Sequence, residues 1–243
     1  MIYRSTIDGQ SGAHLIAEAL KAQGPMTNAA PVPAEIVAAY EDLLPGLVLD
    51  FWEAHGIGDL DEGRLRLCIP RSLQSVVNQL FEGDPYLGGD TYALAFGAFG
   101  DLVAWNARHQ MVHVNMQLSS VDVPALVRGI AGIPDDRAVL DGLLGLPPGM
   151  LDAYDADGQP MFEPARKRHG DLPPLHVYGM FPPAPKNEPF IVGNHRVIDA
   201  EEWLSLKISD SAFQLADMEA GRFGLRRIGP LADGEALIEP GGF

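Results

Sequence analysis

Among the side chains that could do chemistry, the first to weigh is Cys68, the only cysteine of the chain. A cysteine attacks as its thiolate and needs a base or cation close by. Cys68 instead stands between Leu67 and Ile69 in an alternating run, which predicts a buried, inert thiol. His109 and His113 are spaced i,i+4, but Gln110 follows His109 where a zincin helix needs Glu. Their neighbours Met111, Val112 and Val114 read as strand, so no metal site is expected. The run Asp152, Asp155, Asp157, Gly158 lacks the full spacing of a calcium loop, and Pro164 stands where its bidentate Glu belongs. It reads as a solvated turn. The adjacent acids Asp135-Asp136 and Glu201-Glu202 point apart on a helix and cannot share a proton. Phe51, Trp52, Phe99 and Trp105 fall on apolar faces and read as core. There is no GxSxG elbow, Walker loop or dinucleotide-binding glycine fingerprint. The expectation is a non-enzyme, with no catalytic residue, no metal and no cofactor.

The elements around these residues follow from periodicity. Leu15, Ile16, Ala19 and Leu20 predict a helix from Ser11 to Gln23, stopped at Gly24-Pro25, with a small-residue loop over 26–31. Pro33 opens a second helix carrying Ile36, Val37, Tyr40, Leu43 and Leu44, and a third spans Leu47 to His55. Asp59, Asp61 and Glu62 fall in a Gly-punctuated acidic loop. The period then changes to two: Leu65, Leu67 and Ile69 predict a half-buried strand with Arg64, Arg66 and Cys68 on its other side. After a short helix to Leu80, strands at Thr91–Phe96, Leu102–Trp105 and Met111–Gln117 form an antiparallel meander with helices on one face. Short helices follow to Tyr154. A further helix (Phe162–His169), strands near Val177 and Phe190, and helices at Ala200–Leu204 and Ser211–Met218 complete the pattern. The class is α+β. The expected units are an α+β domain over 1–118, a helical connector over 119–160, a smaller α+β domain over 161–228 and a loose tail over 229–243.

With 243 residues, 47% of them hydrophobic, the chain has ample material for a core. No apolar run is long enough to span a bilayer, and the first residues lack a signal-peptide layout. A cytoplasmic protein is expected. Seventeen Lys plus Arg against 33 Asp plus Glu leave a net charge of −16. Such a surface repels nucleic-acid phosphates and anionic membranes, so neither is an expected partner. It favours a basic partner reached by electrostatic steering. The excess is spread over both halves of the chain, with no acidic tail or basic arm.

Two stretches look familiar. The first is VPAEIVAAYEDLLPGLVLDFW (32–52), followed by His55-Gly56, Glu62-Gly63, a strand ending at Pro70, then Phe99-Gly100-Asp101-Leu102 and Trp105. It resembles the GAD-like domain, related in flavour to the SMI1/KNR4-type immunity fold. The second, FEPARKRHGDLPPLHVYGMFPPAP (162–185) with Glu202 and Trp203, is similar to the small C-terminal domain of type VI secretion DNase-immunity proteins. It departs from that pattern at Lys186-Asn187-Glu188-Pro189, and Glu201-Glu202-Trp203 stands near the place of an acid-His pair.

The resemblance implies an immunity protein that neutralises a cognate DNase effector by occluding its active site or DNA-binding face. The charge argument agrees, because a DNase presents positive charge to its substrate. Asp59, Asp61 and Glu62, with Asp135 and Asp136, are then the candidate contacts to a basic nuclease toxin. The alternative is a non-catalytic ligand-sensing or scaffold module of the same fold family.

Overall fold

The computed structural model describes residues 3–130, 132–181, 190–232 and 236–243. The departure at Lys186–Pro189 lies outside them. A small hairpin, β1 (Thr6–Ile7) and β2 (Gln10–Ser11), leads into α1 (Gly12–Gln23), β3 (Thr27–Ala30), α2 (Ala34–Ala39) and α3 (Gly46–His55). Then come β4 (Ile57–Leu60), β5 (Leu65–Leu67), α4 (Gln74–Leu80), β6 (Thr91–Gly97), β7 (Leu102–Asn106), β8 (Gln110–Asn115) and β9 (Ser120–Asp122). α5 (Pro124–Arg128) and α6 (Asp135–Val139) come next, and α6 widens into a π turn over Leu140–Leu144. The rest is α7 (Phe162–His169), β10 (His176–Met180), β11 (His195–Asp199), α8 (Ala200–Ser209), β12 (Gln214–Asp217) and β13 (Arg222–Arg227).

The fold is α+β. One nine-stranded sheet runs β13-β12-β9-β8-β7-β6-β5-β4-β3. From β3 to β9 each strand pairs antiparallel with the next in sequence. β12 then joins β9 in parallel and β13 closes back on β12. The meander therefore reaches well beyond the three strands read from the sequence. Residues 26–31, expected as a loop, hold the edge strand β3; its four residues are exposed, so it carries no alternating apolar signal. The Ser211–Met218 segment is a strand rather than a helix. Phe213 and Leu215 alternate inward there, and pairing with β9 decides between two periods that so short a run cannot separate.

Helices cover both faces of the sheet, not one. Phe96, Ala104, Val112 and Val121 pack with α4, α5 and α8 on one side. Leu94, Val103, Trp105 and Met111 pack with α1, α3 and α6 on the other. β6 (TYALAFG) and β7 (LVAWN) are nearly continuous in apolar residues, the mark of strands buried twice.

Outside this sheet β10 and β11 form an antiparallel pair that packs through α8. The two recognised stretches meet at Trp203. Its ring lies against Gly100, where a Cβ would come within 2.5 Å, and against Gly179 at the same distance. Gly100 also has φ +92°, so both the turn and the indole require glycine there. Trp203 Nε1 donates to Met180 O at 2.8 Å, fixing the ring. The end of the chain is not loose. Tyr86 Oη donates to Ile238 O at 2.9 Å, Gly241 N to Leu126 O at 2.9 Å, and Phe243 packs on the Tyr86 ring.

Candidate functional site: an acidic cleft beside the sheet edge

β4 and β5 run antiparallel in the register Asp59↔Arg66, which sets these side chains opposite each other. Arg66 Nε donates to Asp59 Oδ1 at 2.9 Å and Nη2 to Oδ2 at 3.2 Å. Asn28 of β3 donates to the same carboxylate at 2.7 Å. Arg66 also donates to His176 O at 2.6 Å and Leu172 O at 3.3 Å. Every arm of the guanidinium is used, which is what a buried charge demands. Only 2% of Arg66 is exposed, against the open strand face expected from alternation. The far segment around 172–176 covers it.

Between this pair, α7 and the loop at 171–174 lies a cleft of about 620 Å³. Asp59 forms part of its floor; Glu62, Phe162, Arg166, Asp171 and Tyr178 contribute to its walls. The β4–β5 turn places the acids: Asp61 and Glu62 both have left-handed backbone, φ +46° and +57°, and Gly63 comes next at +102°. Glu62 is exposed and sits 3.6 Å from Arg64 and 3.8 Å from Arg166. Arg64 is shared among Asp61, Asp152 and Glu163 as well, and its guanidinium lies 4.3 Å over the Phe162 ring. Arg166 is held by Glu163 at 2.8 Å. Asp171 is exposed and makes no hydrogen bond or ion pair among the described residues. Tyr178 Oη donates to Gly170 O at 2.6 Å. Burial first, then the Asp171 charge, pushes this phenol up to about 12, so it stays protonated. Lys167 and Arg168 are exposed on α7 but do not line the cleft.

The five predicted contact acids separate by environment. Asp59 is buried in a strand, neutralised by Arg66, and not part of an exposed loop. Asp61 accepts Gly149 N at 2.6 Å and is tied into the fold. Glu62 is open at the cleft mouth. Asp136 accepts Leu47 N at 2.8 Å; it serves the first turn of α3, where Pro45 offers no capping side chain. Burial raises the Asp136 carboxyl and this hydrogen bond opposes the rise. Asp135 is exposed and accepts from Gln110 Nε2 at 3.0 Å. No hydrogen bond or ion pair joins the 59–62 group to the 135–136 group among the described residues.

Phe162, Arg166, Asp171 and Tyr178 were not singled out individually by sequence reasoning. All four lie in the second familiar stretch, which was the available signal. The other screened groups are placed too. Cys68 is buried and desolvation pushes its thiol up to about 12. Asp155 organises its own turn, accepting Asp157 N and Gln159 N, whereas Asp152 is buried at the start of α7, accepting Phe162 N at 2.9 Å. Only the first of these is a solvated turn. Among the described residues no group of three or more His, Cys, Asp or Glu is arranged to hold a metal ion, and no helix is long and apolar enough to cross a membrane.

Residues 14–118 match the GAD-like domain. The matched segment runs from α1 to the turn after β8 and includes β3, β4 and β5, which border the cleft. The likeness to a solved structure runs further. Atu4351 from Agrobacterium tumefaciens superposes with a TM-score of 0.79 at 28% identity, covering 88% of this chain and 97% of that one. The likeness therefore extends well beyond residues 14–118. No curated protein matches.

Proposed function

We propose that this protein is a non-catalytic, cytoplasmic immunity protein that binds a basic nuclease effector of type VI secretion and blocks its active site or DNA-binding face. The observation that carries the reading is the charge at the cleft. Arg64, Arg66 and Arg166 are spent on carboxylates and carbonyls of the same chain. Glu62, exposed and held by ion pairs at 3.6 and 3.8 Å without a hydrogen bond, and Asp171, with no partner among the described residues, remain to meet cations from outside. Phe162 and Tyr178 add aromatic walls suited to a Lys or Arg stem. The GAD-like match and the net charge of −16 support the same partner. A ligand-sensing or scaffold module is the second reading, favoured by the size of the cleft.

The test is co-expression with the product of the neighbouring open reading frame, followed by pull-down, a DNA-degradation assay and stopped-flow association. The expected result is a stoichiometric complex that suppresses cleavage, with association slowing as salt rises, and the nuclease recovered chemically intact. Absence of a complex, or covalently altered nuclease in mass spectrometry, would overturn the reading.

A further inference from the structure

A second concavity lies away from the cleft, between β8, α5 and the α6 π turn, with a volume of about 210 Å³. Its construction is specific. Gly142 in the π turn sits so close to β8 that a Cβ would come 2.7 Å from Met111 Cγ, and the Gly142 carbonyl lies 2.8 Å from His113 Nε2. The widened turn thus seats the helix on the strand while leaving a hollow beside it, and single π turns are frequent at functional sites. Met111, Pro124, Ala125 and Ala138 line the hollow. His109 and His113 complete it, and burial lowers the pKa of both, so neither brings a charge at neutral pH. At its lip Ile130 and Ile133 stand 36% and 38% exposed. The rim is acidic. Asp135 is exposed, and Asp141 is held at 2.7 Å by Arg137, which Asp8 also contacts.

We propose that this hollow is a socket for one apolar side chain of the nuclease, flanked by Lys or Arg residues that face Asp135 and Asp141. The proposal rests on the immunity reading and adds to it the place where binding energy concentrates. An apolar centre enclosed by a polar rim is the anatomy of an interface hot spot. The occupant is set by charge: a rim of carboxylates on a chain of net −16 selects an anchor set among basic residues. A second copy of this chain would bring the same net charge against it. The C-terminal segment is engaged elsewhere, on Tyr86 and Leu126. This socket also gives the Asp135 region a role that its distance from the cleft leaves unexplained.

The experiment measures binding of a cleavage-dead form of the nuclease captured in the co-expression test to the full chain and three variants. Ile130→Ser/Ile133→Ser should raise Kd at least tenfold, mainly through faster dissociation, because the apolar lip is lost. Ala138→Leu, which fills the hollow from within, should do the same. Asp135→Asn should slow association several-fold at low salt and leave dissociation little changed. Melting temperatures identify any variant that is simply unfolded; Ala138→Leu and the isoleucine pair act on different elements, so one serves if the other fails. Folded variants of both kinds that bind within twofold of the parent would overturn the socket while leaving the immunity reading intact. A parent that does not bind the nuclease at all would overturn both.

Discussion

Asp101 is the residue whose setting most directly couples the fold to pH. It closes the Gly97–Asp101 turn, accepts Met116 N at 2.7 Å and takes a weaker bond from Asn115 Nδ2 at 3.3 Å. Burial outweighs these bonds and pushes its carboxyl up to about 7, from an ordinary value near 4. A carboxyl whose pKa is raised on folding contributes stability that is complete below its unfolded value and is lost as pH rises through 7. The lowered pKa values of His113 and His195 act in the opposite sense, costing stability as pH falls below about 6.5. The contribution of Asp101 is therefore isolated by comparison with Asp101→Asn, which keeps a carbonyl oxygen for the Met116 amide. Relative to the parent, the variant should gain stability between pH 5 and pH 8, measured by urea midpoints. An unchanged difference across that range would show that Asp101 does not titrate there.

At the scale of elements, the pair formed by Arg66 of β5 and Asp59 of β4 joins two neighbouring strands to the distant 172–176 segment. Removing one member leaves an uncompensated buried charge, which costs about 3–5 kcal/mol. Arg66→Ala should therefore destabilise the protein by that order in denaturant unfolding and increase proteolysis near Leu172. Replacing both members by apolar residues avoids the stranded charge. Asp59→Leu/Arg66→Met should recover a substantial part of the loss, although the carbonyls of Leu172 and His176 lose their donor. A double variant as unstable as Arg66→Ala would mean that the segment, not the charge, dominates the cost. The Trp203 contact with Gly100 and Gly179 joins the two halves independently, and so keeps α8 seated when the arginine is changed.

On the scale of the whole molecule, the segment that matches the GAD-like domain is continuous with the C-terminal half of the chain. The sheet that begins at β3 is completed by β12 and β13, and the last residues return to Tyr86. Deleting residues 236–243 removes both Tyr86 hydrogen bonds to Ile238, the Gly241 bond and the Phe243 ring contact. The expected cost is about 1–3 kcal/mol, read as a lower melting temperature. A truncated chain as stable as the parent would show that this segment adds nothing to the core. The edge strand β3 has only four residues, and the edge strand β13 carries Gly224 at φ +69°, features that discourage edge pairing between molecules.

What the residues alone determined was local or compositional: the α+β class, the principal helices and the central meander. They also determined the acid excess, the lack of a recognised catalytic motif and the GAD-like resemblance. Alternation and helical spacing act over a few residues, so they survive without knowledge of the fold. Tertiary structure decided which charges are buried and which are free. Arg66 and Asp59 read as surface groups because their covering segment lies 106 to 110 residues further along the chain. Asp136 read as a contact acid because the helix start it serves is 89 residues away. β3 and β12 are too short to announce themselves, and their pairing partners made them strands. Burial of a polar group depends on what is brought against it, and distant segments of this chain supply that cover.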